Sequence, residues 1–155
     1  MRLDRIDLVI LRTLQNDARL SNKELAHSVG LAPSTCLERV RRLRSEKILL
    51  GSHERVDPRA LGIGLQAMIA VQLGRHSRGV LNKFHRDIAK LKEVVAIYHI
   101  AGRFDYLIHV GVRDADQLRD LALDAFTTRE EVEHLETSLI FEYQSSPALP
   151  DYVDV

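Results

Sequence analysis

The 155-residue sequence contains a single cysteine, Cys36, so no internal disulfide is available to brace the fold. It has no signal-peptide h-region and no apolar run long enough to span a bilayer, which makes the cytoplasm the expected compartment. Its seven histidines, His27, His53, His76, His85, His99, His109 and His134, show no metal-ligand spacing, and no cysteine cluster accompanies them. Neither a metal nor a cofactor is expected, and no residue is singled out as catalytic. Gly62-Ile63-Gly64 precedes a strand instead of opening a helix after one, so it reads as a hinge and not as a dinucleotide loop. Net charge is lacking too, since 22 Lys and Arg balance 22 Asp and Glu.

That balance conceals an asymmetry. Residues 1–59 carry 12 basic against 8 acidic side chains, a net of +4, whereas residues 60–155 carry 10 against 14, a net of −4. A basic part suits a polyanion and an acidic remainder does not, which favours two domains, 1–59 and 60–155.

The basic part reads as three helices. Asp4 can cap the first, Asp7 favours its positive end, and Ile6, Val9, Ile10 and Leu14 form its apolar stripe before Asn16-Asp17. Ser21 and Glu24 stand at capping-box spacing, Leu25, Ala26 and Val29 share a face, and Gly30 can close that second helix in the left-handed conformation. After the turn Gly30-Leu31-Ala32, Pro33 suits a first helical position, predicting a third helix from Pro33 to about Lys47.

On that third helix Leu37, Val40, Leu43 and the stem of Arg44, with Cys36 beside them, form the inward side. Ser34, Thr35, Glu38, Arg41 and Arg42, with Arg39 at the edge, form the outward side. Small hydroxyls at the N-terminal turn permit close approach to base edges, and guanidiniums beyond them can pair with guanine or neutralise phosphates. An isolated basic helix is more often a solvated face, but the capped helix and tight turn ahead of this one favour double-stranded DNA. Ile48-Leu49-Leu50 and His53-Glu54-Arg55-Val56 around Gly51-Ser52 read as the two short strands of a wing.

The acidic part alternates strand and helix signals. Leu65 to Leu73 predicts a strand, Val80 to Leu91 a helix, Val94–Ala101 and Tyr106–Val112 an antiparallel hairpin, Asp116 to Phe126 a helix, and Glu133 to Tyr143 a last strand. The order βαββαβ predicts an antiparallel sheet with both helices on one face. Runs such as Val94-Val95-Ala96-Ile97 and Leu139-Ile140-Phe141 are apolar on both faces, so the uncovered face calls for a second copy of the chain. Simple pairing sets His109 opposite Tyr98 and His99 opposite Ile108, on opposite faces.

An N-terminal winged helix-turn-helix with Cys36-Leu37-Glu38-Arg39-Val40-Arg41-Arg42-Leu43, a linker strand, and a ferredoxin-like βαββαβ domain with Gly102-Arg103-Phe104-Asp105-Tyr106 between its second and third strands resembles the Lrp/AsnC family of feast/famine transcription regulators. The resemblance implies an α+β homodimer formed through the sheets, assembled further into octamers. It also implies operator binding that responds to an amino acid held near the Gly-x-x-Asp loop. Two positions depart from the family: Ala101 stands where Thr is common, and Ala32 where Ser or Thr often caps the third helix.

The loop has chemistry suited to such a ligand. Asp105 can accept from an ammonium, Gly102 permits close backbone approach, Arg103 can face a carboxylate, and Thr137 and Ser138 can add hydroxyls, with Phe104 and Tyr106 completing the motif. The same residues also suit a plain hairpin turn. Two further functions stay open: an effector-independent architectural DNA-binding protein of the same fold, and an enzyme, since some proteins similar to this family decarboxylate tetrapyrroles. The His- and Arg-rich segments expected for the latter are not found.

Overall fold

The computed structural model describes residues 3–74, 77–146 and 148–153, so His76 lies outside the described residues. The chain divides into two compact units, Met1–Glu54 with Gln144–Val155, and Arg55–Tyr143.

The first unit contains α1 (Arg5–Asn16), α2 (Asn22–Ser28) and α3 (Pro33–Ser45). Reciprocal capping boxes start α1 and α2. The Asp4 carboxylate accepts from the Asp7 N–H at 2.8 Å while Asp7 accepts from the Asp4 N–H, and Ser21 and Glu24 make the same exchange. Bonding to Ser21 holds the Glu24 carboxyl below its ordinary range. At the end of α2, Gly30 sits at φ +70°, and the Leu31 and Gly30 N–H groups return to the carbonyls of Ala26 and His27, closing a Schellman motif. Ile10, Leu25, Ala26, Cys36, Val40 and Leu43 form the core of the unit. Burial pushes the Cys36 thiol up, as suits a small apolar core residue.

Three expectations for this unit are corrected. Helix α3 stops at Ser45, short of Lys47, because Lys47 itself turns left-handed at φ 56° and lets the Ile48 N–H reach the Leu43 carbonyl at 2.9 Å. Arg44 is exposed, its stem not part of the buried side. The wing and linker strand are not formed: among the described residues none from 46 to 57 pairs as a strand. Ile48 and Leu49 pack onto the helical core instead, which takes the apolar residues that one wing strand would have used. The tail, expected within the second domain at 60–155, groups with this unit instead: Gln15 accepts from the Leu149 N–H at 2.7 Å, and Arg12 pairs with Asp151 at 2.7 Å.

Ala32 is the N-cap of α3 and supplies no side-chain bond. Ala32→Ser should therefore raise the unfolding free energy of this unit by about 1 kcal/mol, read as a higher urea midpoint. An unchanged midpoint would mean that the first-turn amides already find another acceptor, such as Ser34.

The second unit contains β1 (Leu65–Leu73), α4 (Arg78–Ile88), β2 (Val94–His99), β3 (Tyr106–Val112), α5 (Ala115–Ala122), which runs on into a π-helical turn at Leu123–Thr127, and β4 (Val132–Leu139). The strands form one antiparallel sheet in the order β2-β3-β1-β4. Alternation assigns the faces. Ala67, Ile69, Val71 and Leu73 on β1, with Tyr106, Ile108, Val110 and Val112 on β3, pack with Phe84, Ile88, Leu118, Leu121 and Phe126 from the helical layer. The opposite face carries Gln66, Met68, Ala70, Leu107, His109, Ala96 and Tyr98, bordered on β4 by His134, Glu136 and Ser138.

The hairpin register differs from simple pairing. An irregularity between Val94 and Ala96 sets His99 opposite Tyr106 and Ala96 opposite His109, and the connection lengthens to residues 100–105. The two histidines still face opposite sides. His99 stacks on Tyr106 at 4.9 Å, while His109 meets Gln66 at 2.8 Å, and burial pushes the His109 pKa down. Among the described residues no group of three or more His, Cys, Asp or Glu is placed to hold a metal.

Candidate nucleic-acid interface and ligand loop

Positions 34, 35, 38, 41 and 42 recur at helical spacing, and the structure leaves Ser34, Thr35, Glu38, Arg41 and Arg42 together on the exposed side of α3. Arg39 differs. Its Nη1 lies 2.6 Å from an Asp4 oxygen and 2.9 Å from an Asp7 oxygen, and its side chain is 23% exposed. Arg42 uses Nη2 on the other Asp7 oxygen at 2.6 Å and stays 43% exposed. The two carboxylates that cap α1 thus also hold α3. Bonding to the Arg39 guanidinium keeps the Asp4 carboxyl below its usual range, and Asp4, followed by Asp7, pushes Arg39 up. Asp7 is 1% exposed. Sequence reasoning gave it only a place in the helix dipole; an acidic residue on the buried stripe of α1, beside an Arg-rich partner helix, was the signal for more.

In the second unit, Gly102 sits at φ +135° within the loop between β2 and β3. Asp105 anchors this loop. Its N–H donates to the Val71 carbonyl, its carbonyl accepts from Ile100, and its carboxylate accepts from the Leu73 N–H at 2.7 Å, where the pairing of β1 with β4 shifts. Arg103 pairs with Glu136 at 3.0 Å and lies over the Phe104 ring, which stacks on His134. His134 and Glu136 are therefore the β4 residues that meet the loop, and both were missed.

The expected hydroxyls lie elsewhere. Thr137 pairs with Ile69 and Ser138 with Met68, on opposite faces and further along β4. Alternation along β4 carried the missed signal, since His134 and Glu136 share one face. Tyr106 is a core residue at 2% exposure, packed on Phe84 at 5.0 Å and donating its hydroxyl to the Leu81 carbonyl. Burial, and then the nearby Asp105 charge, pushes its pKa up.

A capped helix, a three-residue turn and a second helix exposing hydroxyls and then arginines define a helix-turn-helix DNA-binding protein. Comparison with known proteins gives the family. Residues 3–44 match the AsnC-type helix-turn-helix domain and residues 66–146 the Lrp/AsnC ligand binding domain. The chain belongs to the Lrp/AsnC family and is a DNA-binding transcription regulator.

Among its relatives, the HTH-type transcriptional regulator AldR of Mycolicibacterium smegmatis is 43% identical over 141 residues, which is 91% of this chain and 82% of that protein. The leucine-responsive regulatory protein of Escherichia coli K12 is 40% identical over 119 residues, 77% of this chain and 73% of the relative. The crystal structure of MtbAldR is similar with a TM-score of 0.77 at 36% identity, covering 96% of this chain and 100% of that one. The transcriptional regulator NMB0573 of Neisseria meningitidis, solved as its L-Met complex, is similar with a TM-score of 0.86 at 29% identity, covering 96% of this chain and 97% of that one. No described helix is long and apolar enough to cross a membrane.

Proposed function

We propose that residues 1–59 read operator DNA as part of a homodimer, and that residues 60–155 assemble the protein and respond to a free amino acid at the loop Gly102-Arg103-Phe104-Asp105-Tyr106. The exposed row Ser34, Thr35, Glu38, Arg41 and Arg42 carries the DNA reading, because it presents short donors and forked cations on one helix face. The loop reading rests on opposite charges held close together: Asp105 and Glu136 suit an ammonium, and Arg103 suits a carboxylate. A similar structure solved with L-Met supports an amino acid as the class of effector. Ser138, on the face of His134 and Glu136, remains an outer candidate for a ligand that extends along β4, and Thr137 one only for a ligand that comes from the opposite face.

The apolar residues Met68, Ala70, Leu107 and Tyr98 on the helix-free sheet face support a second copy as the covering partner; further assembly of dimers into octamers is proposed on the family resemblance alone. The working compartment is the cytoplasm, where the operator is. The chain acts by binding and not as an enzyme; the architectural alternative differs in lacking an effector.

A thermal-shift screen of the twenty amino acids should find at least one that raises the melting temperature of the second unit, since a ligand that binds only the native state stabilises it. Asp105→Asn should then weaken that amino acid by roughly 10- to 100-fold, the loss of one charged hydrogen bond of about 1.5–3 kcal/mol. The asparagine oxygen can still accept from the Leu73 amide. A variant that loses stability or assembly while binding the amino acid as tightly per folded molecule would make Asp105 a turn residue only.

A further inference from the structure

The buried Asp7 carboxylate does more than complete the capping box of α1. Only one of its bonds is a cap bond, the one it accepts from the Asp4 N–H at 3.2 Å. Its two oxygens otherwise divide between two guanidiniums of α3, Arg39 on one and Arg42 on the other. A buried carboxylate is costly unless paired, and here both its partners come from the helix proposed to read DNA.

The two arginines are held unequally. Arg39 is largely covered, and one of its nitrogens is shared between Asp4 and Asp7. It is a strut between the start of α1 and the middle of α3. Among the described residues Arg42 has one carboxylate partner, and it is about twice as exposed and stands on the outward row with Ser34, Thr35, Glu38 and Arg41. A guanidinium has five donors in a rigid fork, so a carboxylate that takes one end fixes the direction of the others.

We infer that Asp7 is a positioning residue for DNA recognition, aiming the Arg42 guanidinium outward through their 2.6 Å bond while Arg39 locks the two helices in register. This rests on the proposal that α3 reads DNA. A fixed fork discriminates among base edges or phosphate positions, whereas a free arginine beside a neutral residue attracts any phosphate. The carboxylate also removes one positive charge from the helix surface, which lowers affinity for DNA of unrelated sequence.

The experiment uses the full-length protein, a duplex that the wild type selects from a random-sequence library, and an unselected duplex of equal length. Asp7→Asn should weaken binding to the selected duplex about 10-fold, comparable to Arg42→Ala, while binding to the unselected duplex stays equal or tightens. Combining Asp7→Asn with Arg42→Ala should be no worse than Arg42→Ala alone, because one residue acts through the other. With affinities taken per folded molecule, an equal fall for both duplexes, or no change in either, overturns the positioning role.

Arg41→Ala separates this inference from the reading on which it rests. If it weakens the selected duplex while Asp7→Asn leaves discrimination intact, α3 is the reader and Asp7 is structural only. If both leave it intact, α3 is not the reader and both ideas fall. Should Asp7→Asn not fold, Asp7→Leu with Arg39→Met replaces the strut by apolar side chains, an exchange that is often neutral for stability, and must show the same loss of discrimination.

Discussion

On the proposed homodimer, Leu107→Asp is expected to leave monomers at micromolar concentration and to lower affinity for a duplex with paired half-sites by at least about 100-fold. Leu107 lies on β3, one of the two central strands, opposite Ala70 on β1 and Tyr98 on β2, on the face that the helices leave uncovered. In a monomer its aspartate would meet water and cost the fold little. Across a symmetric interface two such charges would be buried facing each other, each costing several kcal/mol without a partner.

The loss reaches DNA binding because a twofold protein engages two half-sites at once, and a monomer keeps only one recognition helix and its phosphate contacts. Ile97 would not serve as such a probe. It pairs with Ile108 and so belongs to the helix-covered face, where a charge would unfold the unit instead of separating the chains. Light scattering that still shows a dimer of Leu107→Asp, with operator affinity near wild type, would move the interface off this face.

The local grammar of the chain was legible wherever one residue has one use. Ser21 with Glu24, Gly30 after Val29, and Pro33 at a first turn place their helices correctly, because caps and left-handed glycines act within a few residues. β1 and β3 were equally legible, since strands buried in the middle of a sheet read as continuous apolar runs. What failed were features decided at a distance. The left-handed Lys47 takes a conformation that favours glycine, at about 1–2 kcal/mol, and nothing local announces it. The wing failed because Ile48 and Leu49 found a better burial site on the helical core.

Site residues followed the same division. Ser34, Thr35, Glu38 and Arg41 stand where helical periodicity sets them. Arg39 and Arg42 were assigned to a surface, but their pairing with Asp7 spans 32 and 35 residues, which no local spacing reveals. At the loop, the pairing of Arg103 with Glu136 and of Phe104 with His134 depends on β4 joining the edge of β1 in one register, and a shift of one residue would have presented Thr137 instead.

Phe84→Ala should lower the stability of the second unit by about 3–5 kcal/mol and leave the first unit folded. Phe84 is fully buried on α4, with the Tyr106 ring 5.0 Å away, the Phe126 ring 6.5 Å away and the Arg129 guanidinium 5.7 Å from its ring centre. Truncation opens a cavity bounded by these groups, and the sheet behind it limits collapse. A loss of this size is a large part of the 5–15 kcal/mol typical of a whole domain, so the melting step of the sheet unit should fall by more than about 10 °C. Hydrogen exchange should show Ile108 and Val110 amides losing protection while Val40 and Leu43 amides in α3 keep theirs.

Affinity for DNA of unrelated sequence should persist, since it depends on basic groups of the first unit. Effector affinity per folded molecule should fall as well, because Phe84 supports Tyr106, the residue next to Asp105. If the amides of both units lose protection together in one step, the chain is a single cooperative body, and the division of labour between residues 1–59 and 60–155 must be given up.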